Sequence, residues 1–180
     1  LSITTYTNAD EVELFVNGES QGIRRKKVYG AAHEGAAWQH STEYHVMWRV
    51  AFEPGEVKVV ARKDGKQVGE QTIRTAGAPH HIVLKKTYQG TLAFGTSDPT
   101  TFVEVQVVDK DGNLCPNADN QIFFSSDAKI LGTDNGCQTS LERFTDPHRK
   151  AFFGKCVVVL KGKGTLTAKA VDLQQAQIQL

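Results

Sequence analysis

Residues 132–155 hold many of the side chains in this sequence whose types could carry out chemistry. The segment supplies three carboxylates, Asp134, Glu142 and Asp146, together with the cation of Arg149. Two carboxyl groups placed across a sugar ring can hydrolyse a glycosidic bond, one as acid and the other as base or nucleophile. Such a pair needs a rigid, partly buried pocket that separates the two pKa values, and short strands with polar turns supply no deep cleft. We therefore predict no catalytic residue in this segment.

The same segment has a structural interpretation, which we favour. Asp134, Asn135 and Gly136 are residue types that form tight turns, because Asx side chains bond to nearby backbone and glycine accepts positive φ. Arg149 is expected to pair with a nearby acid and so to fix the connection. The prediction is a structural loop that depends on these four residues.

A second acidic stretch, DKDGN, resembles the start of a calcium-binding loop. Asp109, Asp111 and Asn113 occupy the first, third and fifth positions of that motif. The motif also requires glycine at the sixth position and glutamate at the twelfth, where this chain has Leu114 and Asn120. A hairpin turn explains the same residues, so we predict no metal site here.

The segment HEGAAWQHSTEYH, residues 33–45, contains three histidines and one tryptophan. The histidines lack the HExxH spacing that places two imidazoles on one helical face, which argues against a metal site. Trp38 is a different kind of candidate, because sugar rings stack on exposed aromatic faces. Trp38 is therefore a candidate sugar contact, with a glycan as its partner.

Composition limits the remaining partners. The 180 residues carry a net charge of +1, with 39% hydrophobic and 23% charged residues, which is typical of an ordinary globular chain. This charge is too small to indicate nucleic acid as a partner, and no apolar run reaches the roughly 18 residues of a membrane span. No motif for a cofactor is present. The chain begins at Leu1 without a signal peptide, and we expect it to be an excised C-terminal region of a longer protein.

The three cysteines, Cys115, Cys137 and Cys156, match no zinc or redox spacing. Their odd number leaves at least one thiol unpaired. Whether Cys115 and Cys137 form a disulfide is left open, because the sequence does not place their side chains within bonding distance.

Alternation of apolar and polar residues with a period of two recurs along the chain, and helical periodicity hardly occurs. Asn17-Gly18 and Asp64-Gly65 mark hairpin turns between such segments. The stretch TAGAPHH, residues 75–81, contains glycine and proline that interrupt strand pairing. We therefore predict an all-β protein of two tandem immunoglobulin-like β-sandwich domains, residues 1–77 and residues 78–180.

Several stretches occur in an order that resembles one family. They are NADEVELFVNGESQG, FEPGEVKVVARKDGK, TIRTAGAPHHIVL, VEVQVVDKDGNLCPNADNQIFF, ILGTDNG and RKAFFGKCVVVL. Together they look like the C-terminal region of glycoside hydrolase family 2 enzymes, specifically bacterial β-galactosidases of Bacteroides-like organisms. The resemblance runs nearly from end to end of the chain.

The resemblance implies a non-catalytic pair of immunoglobulin-like domains that follow a catalytic (β/α)8 barrel in the same polypeptide. In that family the working glutamates lie on the barrel, so none is transferred to this chain. Asp134, Asn135 and Gly136 match the family's DNG loop, and Arg149 begins its R-x-x-F-x-G stretch, with Phe152 and Gly154 following. The expected role is to brace the barrel during glycan degradation, in a periplasmic or secreted enzyme. The alternatives are a carbohydrate-binding module and an adhesion or spacer protein of the cell surface.

Overall fold

The structure is a computed structural model that describes residues 1–26, 44–91 and 98–180. Within these residues the chain forms fourteen β-strands and no helix, so the predicted all-β class is confirmed. The chain divides into two compact units, unit 1 (Leu1–Thr75) and unit 2 (Ala76–Leu180). Across the part of the chain that is described, no helix has the length and apolar character that a membrane crossing requires.

Unit 1 is a sandwich of two antiparallel sheets. A four-stranded sheet has the order β3-β2-β5-β6, and a two-stranded sheet pairs β1 with β4. The strands are β1 (Ser2–Tyr6), β2 (Glu11–Val16), β3 (Glu19–Arg25), β4 (His45–Arg49), β5 (Glu56–Lys63) and β6 (Lys66–Arg74). Positive φ at Asn17 and Gly18, and again at Asp64 and Gly65, fits the tight hairpin turns predicted there.

The core of unit 1 joins its two sheets. Val12 and Leu14 of β2 pack against Val46 and Trp48 of β4, and all four side chains are buried. The indole N–H of Trp48 donates to the carbonyl oxygen of Gly22 at 3.2 Å, which satisfies the only polar group of that side chain. Burial of Trp48 therefore leaves no hydrogen-bond donor without a partner.

Unit 2 is a sandwich of two four-stranded antiparallel sheets with the orders β10-β12-β8-β7 and β11-β9-β13-β14. Its strands are β7 (His81–Gly90), β8 (Thr100–Val108), β9 (Gln121–Ser126), β10 (Lys129–Asp134), β11 (His148–Lys150), β12 (Lys155–Lys161), β13 (Thr165–Lys169) and β14 (Ala176–Gln179). Alternate residues of β8 and β12, such as Val103 and Val158, meet Ile122 of β9 and Leu166 of β13 in one buried cluster. The two-sheet architecture that alternation predicted is confirmed.

Candidate functional site: the loop between β10 and β11

The segment that concentrates reactive side chains connects the two sheets of unit 2. Asp134 is the last residue of β10, which belongs to one sheet, and β11 belongs to the other. Residues 135–147 join the two strands, and we call them the 135–147 loop. Arg149 is the central residue of β11, opposite Ile122 of β9, so it lies on a strand and not in the loop itself.

Arg149 is 1% exposed, and its guanidinium holds the loop to β10. Nη2 donates to the carbonyl oxygens of Thr133 at 2.7 Å and Arg143 at 2.9 Å. Nη1 donates to the carbonyl oxygen of Glu142 at 3.2 Å, and Nε to Oγ1 of Thr133 at 3.3 Å. The planar fork of arginine suits several acceptors at once, and a buried charge requires such partners. One side chain therefore connects β10, the loop and β11.

Glu142 is the acid that faces this guanidinium, with Oε2 at 3.6 Å from Nη1 of Arg149. Its carboxylate also accepts from Nε2 of Gln121 at 2.9 Å, from Oγ of Ser140 at 3.3 Å and from the backbone N–H of Lys150 at 3.1 Å. Partial burial raises the pKa of Glu142, but the hydrogen bonds from Gln121 and Lys150 and the charge of Arg149 outweigh it and leave the pKa lowered. Glu142 is therefore ionised at neutral pH and cannot serve there as a general acid.

Asp134, Asn135 and Gly136 form a turn at the start of the loop. Oδ1 of Asp134 accepts from the backbone N–H groups of Asn135 at 2.7 Å and Gly136 at 3.1 Å, and Gly136 adopts a φ of 73°. Asn135 accepts from the N–H of Cys137 at 2.9 Å and donates to the carbonyl oxygen of Lys150 at 2.8 Å. The three residues thus bond to the backbone on both sides of the loop.

The end of the loop is pressed closely against β10. The backbone N–H of Thr133 donates to the carbonyl oxygen of Phe144 at 2.7 Å. A Cβ atom at Gly132 would lie 3.0 Å from that same oxygen, so a larger residue would displace the loop. Gly154, with a φ of 75°, is under a stricter constraint, because a Cβ there would lie 2.3 Å from the carbonyl oxygen of Cys115.

A shallow depression of about 210 Å³ lies beside the turn, smaller than the sites that usually enclose small molecules. Glu104 and Asp134 both line it. Glu104 accepts hydrogen bonds from Gln106 and from Nζ of Lys155, and the bond from Gln106 is the main cause of its lowered pKa. Neither this carboxylate nor Glu142 has the raised pKa of a general acid. Among the described residues, no group of three or more His, Cys, Asp or Glu side chains could hold a metal ion.

The loop directs apolar side chains outward. Leu141 is 99% exposed and Phe144 is 66% exposed. The guanidinium carbon of Arg149 lies 5.5 Å from the ring centroid of Phe144, close enough for a cation–π contact. The ring is therefore supported on one side by a buried residue while most of its surface is open to solvent.

Asp109 is a residue whose structural importance the sequence reasoning missed. It accepts from the backbone N–H of Gly77 at 2.8 Å, of Asp111 at 2.9 Å and of Asn113 at 2.8 Å. These bonds, led by the one from Gly77, lower the pKa of Asp109 strongly. The DKDGN stretch is thus a turn that also fixes a backbone segment 32 residues away. The Asp-x-x-x-Asn spacing signals the turn, but nothing local signals the bond to Gly77.

The remaining candidates divide into two groups. Trp38 and the histidines at positions 33 and 40 lie outside the described residues, so the sugar contact stays a prediction. Cys115, Cys137 and Cys156 are free thiols, and the first and last of them are buried. Burial raises the pKa of Cys156 to about 12, whereas the hydrogen bond with Thr139 lowers the pKa of Cys137.

Two families of known domains match the chain. Residues 85–179 match the family described as Glycoside hydrolase family 2 C-terminal domain 5. Residues 1–69 match the family described as Domain of unknown function (DUF4982). The two matches fall in unit 2 and unit 1 respectively.

Individual relatives are much longer than this chain. It is 46% identical over 182 residues to the β-galactosidase BoGH2A of Bacteroides ovatus, across 97% of this chain and 20% of that protein. The solved β-glycosidase of Bacteroides vulgatus matches with a TM-score of 0.83 and 30% identity, across 100% of this chain and 22% of that one. A glycosyl hydrolase family 2 member of Bacteroides cellulosilyticus gives a TM-score of 0.78 and 27% identity, across 99% and 24%. The chain thus spans about a fifth of the length of these relatives.

Proposed function

Because the chain belongs to glycoside hydrolase family 2, as part of its C-terminal region, we propose that it is a non-catalytic accessory region that braces a catalytic barrel of the same polypeptide. We propose further that this longer polypeptide degrades glycans as a β-galactosidase and acts in the periplasm or outside the cell. The similarity to BoGH2A supports the substrate class. Fractionation of the producing cells, followed by immunoblotting, tests the location, and recovery in the cytoplasmic fraction would contradict it.

One observation carries the bracing role: the 135–147 loop uses Asn135 and Glu142 inside unit 2 and presents Leu141 and Phe144 to solvent. The Glu142 carboxylate is occupied by structural hydrogen bonds from Gln121 and Lys150, so it is not free to act as one of a catalytic pair. Leu141 and Phe144 project from a loop that Arg149 holds in place. A single exposed leucine is common on protein surfaces, but aromatic residues are enriched at interfaces, and here an exposed aromatic ring and an exposed leucine lie on one fixed loop.

The first experiment tests the absence of catalysis in this chain. The purified chain is incubated with aryl β-galactosides and aryl β-glucuronides, beside the variants Asp134→Ala and Glu142→Ala. We expect all three proteins to match the rate in buffer, because retaining hydrolysis requires two free carboxyl groups about 5 Å apart. Turnover by the chain that disappears in either variant would restore the loop as an active site and overturn the proposal.

The second experiment tests bracing in the longer polypeptide. Leu141→Ser changes a side chain that is 99% exposed, so the isolated chain should melt at the same temperature with or without it. In the longer polypeptide the same change should lower the melting temperature of the catalytic part, because the apolar contact is lost. Val171→Ser is the matched control, since Val171 is 74% exposed but lies outside the loop.

Removal of residues 1–180 provides the stronger form of this test. The truncated polypeptide should lose both thermal stability and aryl β-galactosidase activity after mild heating. If the truncated polypeptide and the Leu141→Ser variant both keep the stability of the intact one, the bracing role is wrong.

A further inference from the structure

The outer edge of β1 carries a row of backbone groups that no described residue pairs with. Leu1 and Val50 exchange both of their hydrogen bonds, at 2.6 and 3.0 Å, at one end of the β1–β4 ladder. In an antiparallel pair such positions alternate with positions that make no bond to the partner strand. The backbone N–H and C=O groups of the odd-numbered residues of β1 therefore point toward β4. Ser2, Thr4 and Tyr6 turn their N–H and C=O groups away from it, toward the edge of the sheet.

Within the described residues, this edge lacks three of the usual protections against strand addition. Natural edge strands carry charged residues, proline or bulges that discourage pairing. The strand from Ser2 to Tyr6 reads SITTY, with no charge and no proline, and its register with β4 is continuous. A regular, uncharged edge of this kind can accept another strand.

An apolar groove runs beside the same edge, because a two-stranded sheet cannot cover a four-stranded one. Its apolar lining comes from Ile3 of β1, Val57 and Val59 of β5 and Ile73 of β6, and the rest comes from Thr4, Thr5, Tyr6 and Gln71. Ile3, Val57 and Val59 belong to the core only in part, and Ile73 is 65% exposed. A strand added to β1 would lie about 4.8 Å away from it, and every second side chain would point into this groove. The addition would bury both the backbone edge and the apolar groove.

The shape of the groove indicates what can occupy it. β6 is the edge strand of the larger sheet, and its residue Ile73 forms the far wall of the groove. A second copy of unit 1 that paired its own β1 here in the antiparallel sense would carry its own four-stranded sheet on the same side, where β6 already lies. A lone extended segment brings no second sheet and so does not compete for the space beside β6. The occupant that fits is therefore one strand with alternating apolar side chains.

The short length of the edge favours a tethered occupant. Ser2, Thr4 and Tyr6 offer one donor and one acceptor each, which is too few contacts for tight binding of a free peptide, given the entropy lost on association. A segment of the same polypeptide has an effective concentration in the millimolar range for a suitable linker, so a short ladder is sufficient. The relatives are about five times longer than this chain, and so contain enough additional polypeptide to supply one.

We propose that an extended segment of the same polypeptide, outside these 180 residues, adds to the outer edge of β1 as a third strand and fills the groove beside Ile73. The inference rests on the proposed function, because it requires that this chain be part of a longer protein. It deepens that function by naming the strand through which unit 1 is joined to the rest of the polypeptide.

Hydrogen exchange with residue resolution tests the proposal. The amides of Thr4 and Tyr6 are compared in the isolated 180-residue chain and in the longer polypeptide. We expect fast exchange in the chain and at least about tenfold slower exchange in the longer protein, since a hydrogen-bonded strand amide opens rarely. The amides of Ile3 and Thr5 bond to β4 and should be slow in both, which makes them the internal reference.

Two variants make the comparison specific. Thr4→Pro removes an outward N–H and obstructs an added strand, but keeps the bonds to β4, because proline is tolerated where the N–H faces the edge. In the longer polypeptide this variant should return Tyr6 to its fast exchange. Thr4→Val keeps the N–H and should keep the protection. Slow exchange at Ile3 and Thr5 in both variants shows that β1 is still formed. If these two amides exchange fast in Thr4→Pro, β1 is lost in that variant, and the comparison of the wild-type chain with the longer wild-type polypeptide decides.

Three results would overturn the proposal. Thr4 and Tyr6 could exchange equally fast in both proteins, or they could already be slow in the isolated chain, which would mean that the edge is covered from within. Protection that depends on protein concentration would identify a second molecule as the occupant. If removal of residues 1–180 destabilises the catalytic part while Thr4 and Tyr6 stay unprotected, the bracing role stands and only the strand addition is wrong.

Discussion

Replacement of Arg149 by alanine removes the connection between β10, the 135–147 loop and β11. The guanidinium donates to the carbonyl oxygens of Thr133, Glu142 and Arg143 and faces the carboxylate of Glu142. Thr133 is 2% exposed, so water reaches it poorly after the change. The alanine variant therefore leaves at least one buried acceptor without a donor and a partly buried carboxylate without its cation.

The size of the effect follows from these losses. A buried acceptor left unpaired costs about 1–3 kcal/mol. Removal of one partner of a buried ion pair costs about 3–5 kcal/mol in total, and Glu142 can regain some hydration, which places Arg149→Ala near 4 kcal/mol. For a domain the size of unit 2, about 4 °C is lost per kcal/mol, so its melting temperature should fall by roughly 15 °C. The melting temperature of Arg149→Lys should lie between those of the wild type and Arg149→Ala, because an ammonium group keeps the charge but cannot reach all of the separate acceptors.

Unit 1 offers an internal reference for the measurement. Both tryptophans of the sequence, at positions 38 and 48, precede Thr75, so tryptophan fluorescence follows unit 1 and far-UV circular dichroism follows both units. In urea, Arg149→Ala should leave the fluorescence transition, which reports unit 1, unchanged. The dichroism transition should shift to lower urea only in the part that belongs to unit 2. Arg143→Ala is the matched control, because that side chain is exposed and its loss should change stability by less than about 0.5 kcal/mol. Destabilisation of unit 2 by less than about 1 kcal/mol in Arg149→Ala would refute the view that this residue organises the loop.

Three further predictions concern separate parts of the chain. The lowered pKa of Asp109 means that its contribution to stability is complete above the unfolded-state pKa, near 4, and is lost as the pH falls toward the folded-state value. In Asp109→Asn the free energy of unfolding of unit 2 should therefore change less steeply with pH in the acid range. An unchanged slope would contradict this role. In the native chain, iodoacetamide should modify Cys137 before the two buried thiols, and peptide mapping that finds another cysteine labelled first would disprove it. The accessory role predicts that galactosides cause no saturable change in tryptophan fluorescence. Trp48 is buried, so quenching that disappears in the Trp38→Ala variant but remains in the Trp48→Phe variant would instead establish Trp38 as a sugar contact.

The sequence by itself determined the class of fold. Alternation with a period of two predicted strands, because successive side chains of a strand point to opposite faces. Asn17-Gly18 and Asp64-Gly65 predicted hairpins, because these residue pairs tolerate the positive φ that the turns contain. The ordered stretches of the family resemblance identified the C-terminal region of glycoside hydrolase family 2, in agreement with the match of residues 85–179. Each of these signals is read from short stretches of the chain or from their order along it.

The roles of individual side chains were decided by the tertiary structure. The sequence placed Arg149 in a loop beside an acid, but its closest contacts are backbone carbonyl oxygens of Thr133 and Arg143. It interpreted the stretch after Asp109 as a simple turn, but that carboxylate also holds Gly77. It gave no sign that the backbone groups of Thr4 point away from β4, toward an edge that no described residue pairs with, because this depends on the register between β1 and β4. Such contacts join residues that are far apart in the chain. Which of these contacts form depends on which strands pair and how the sheets pack, and no local pattern in the sequence carries that information.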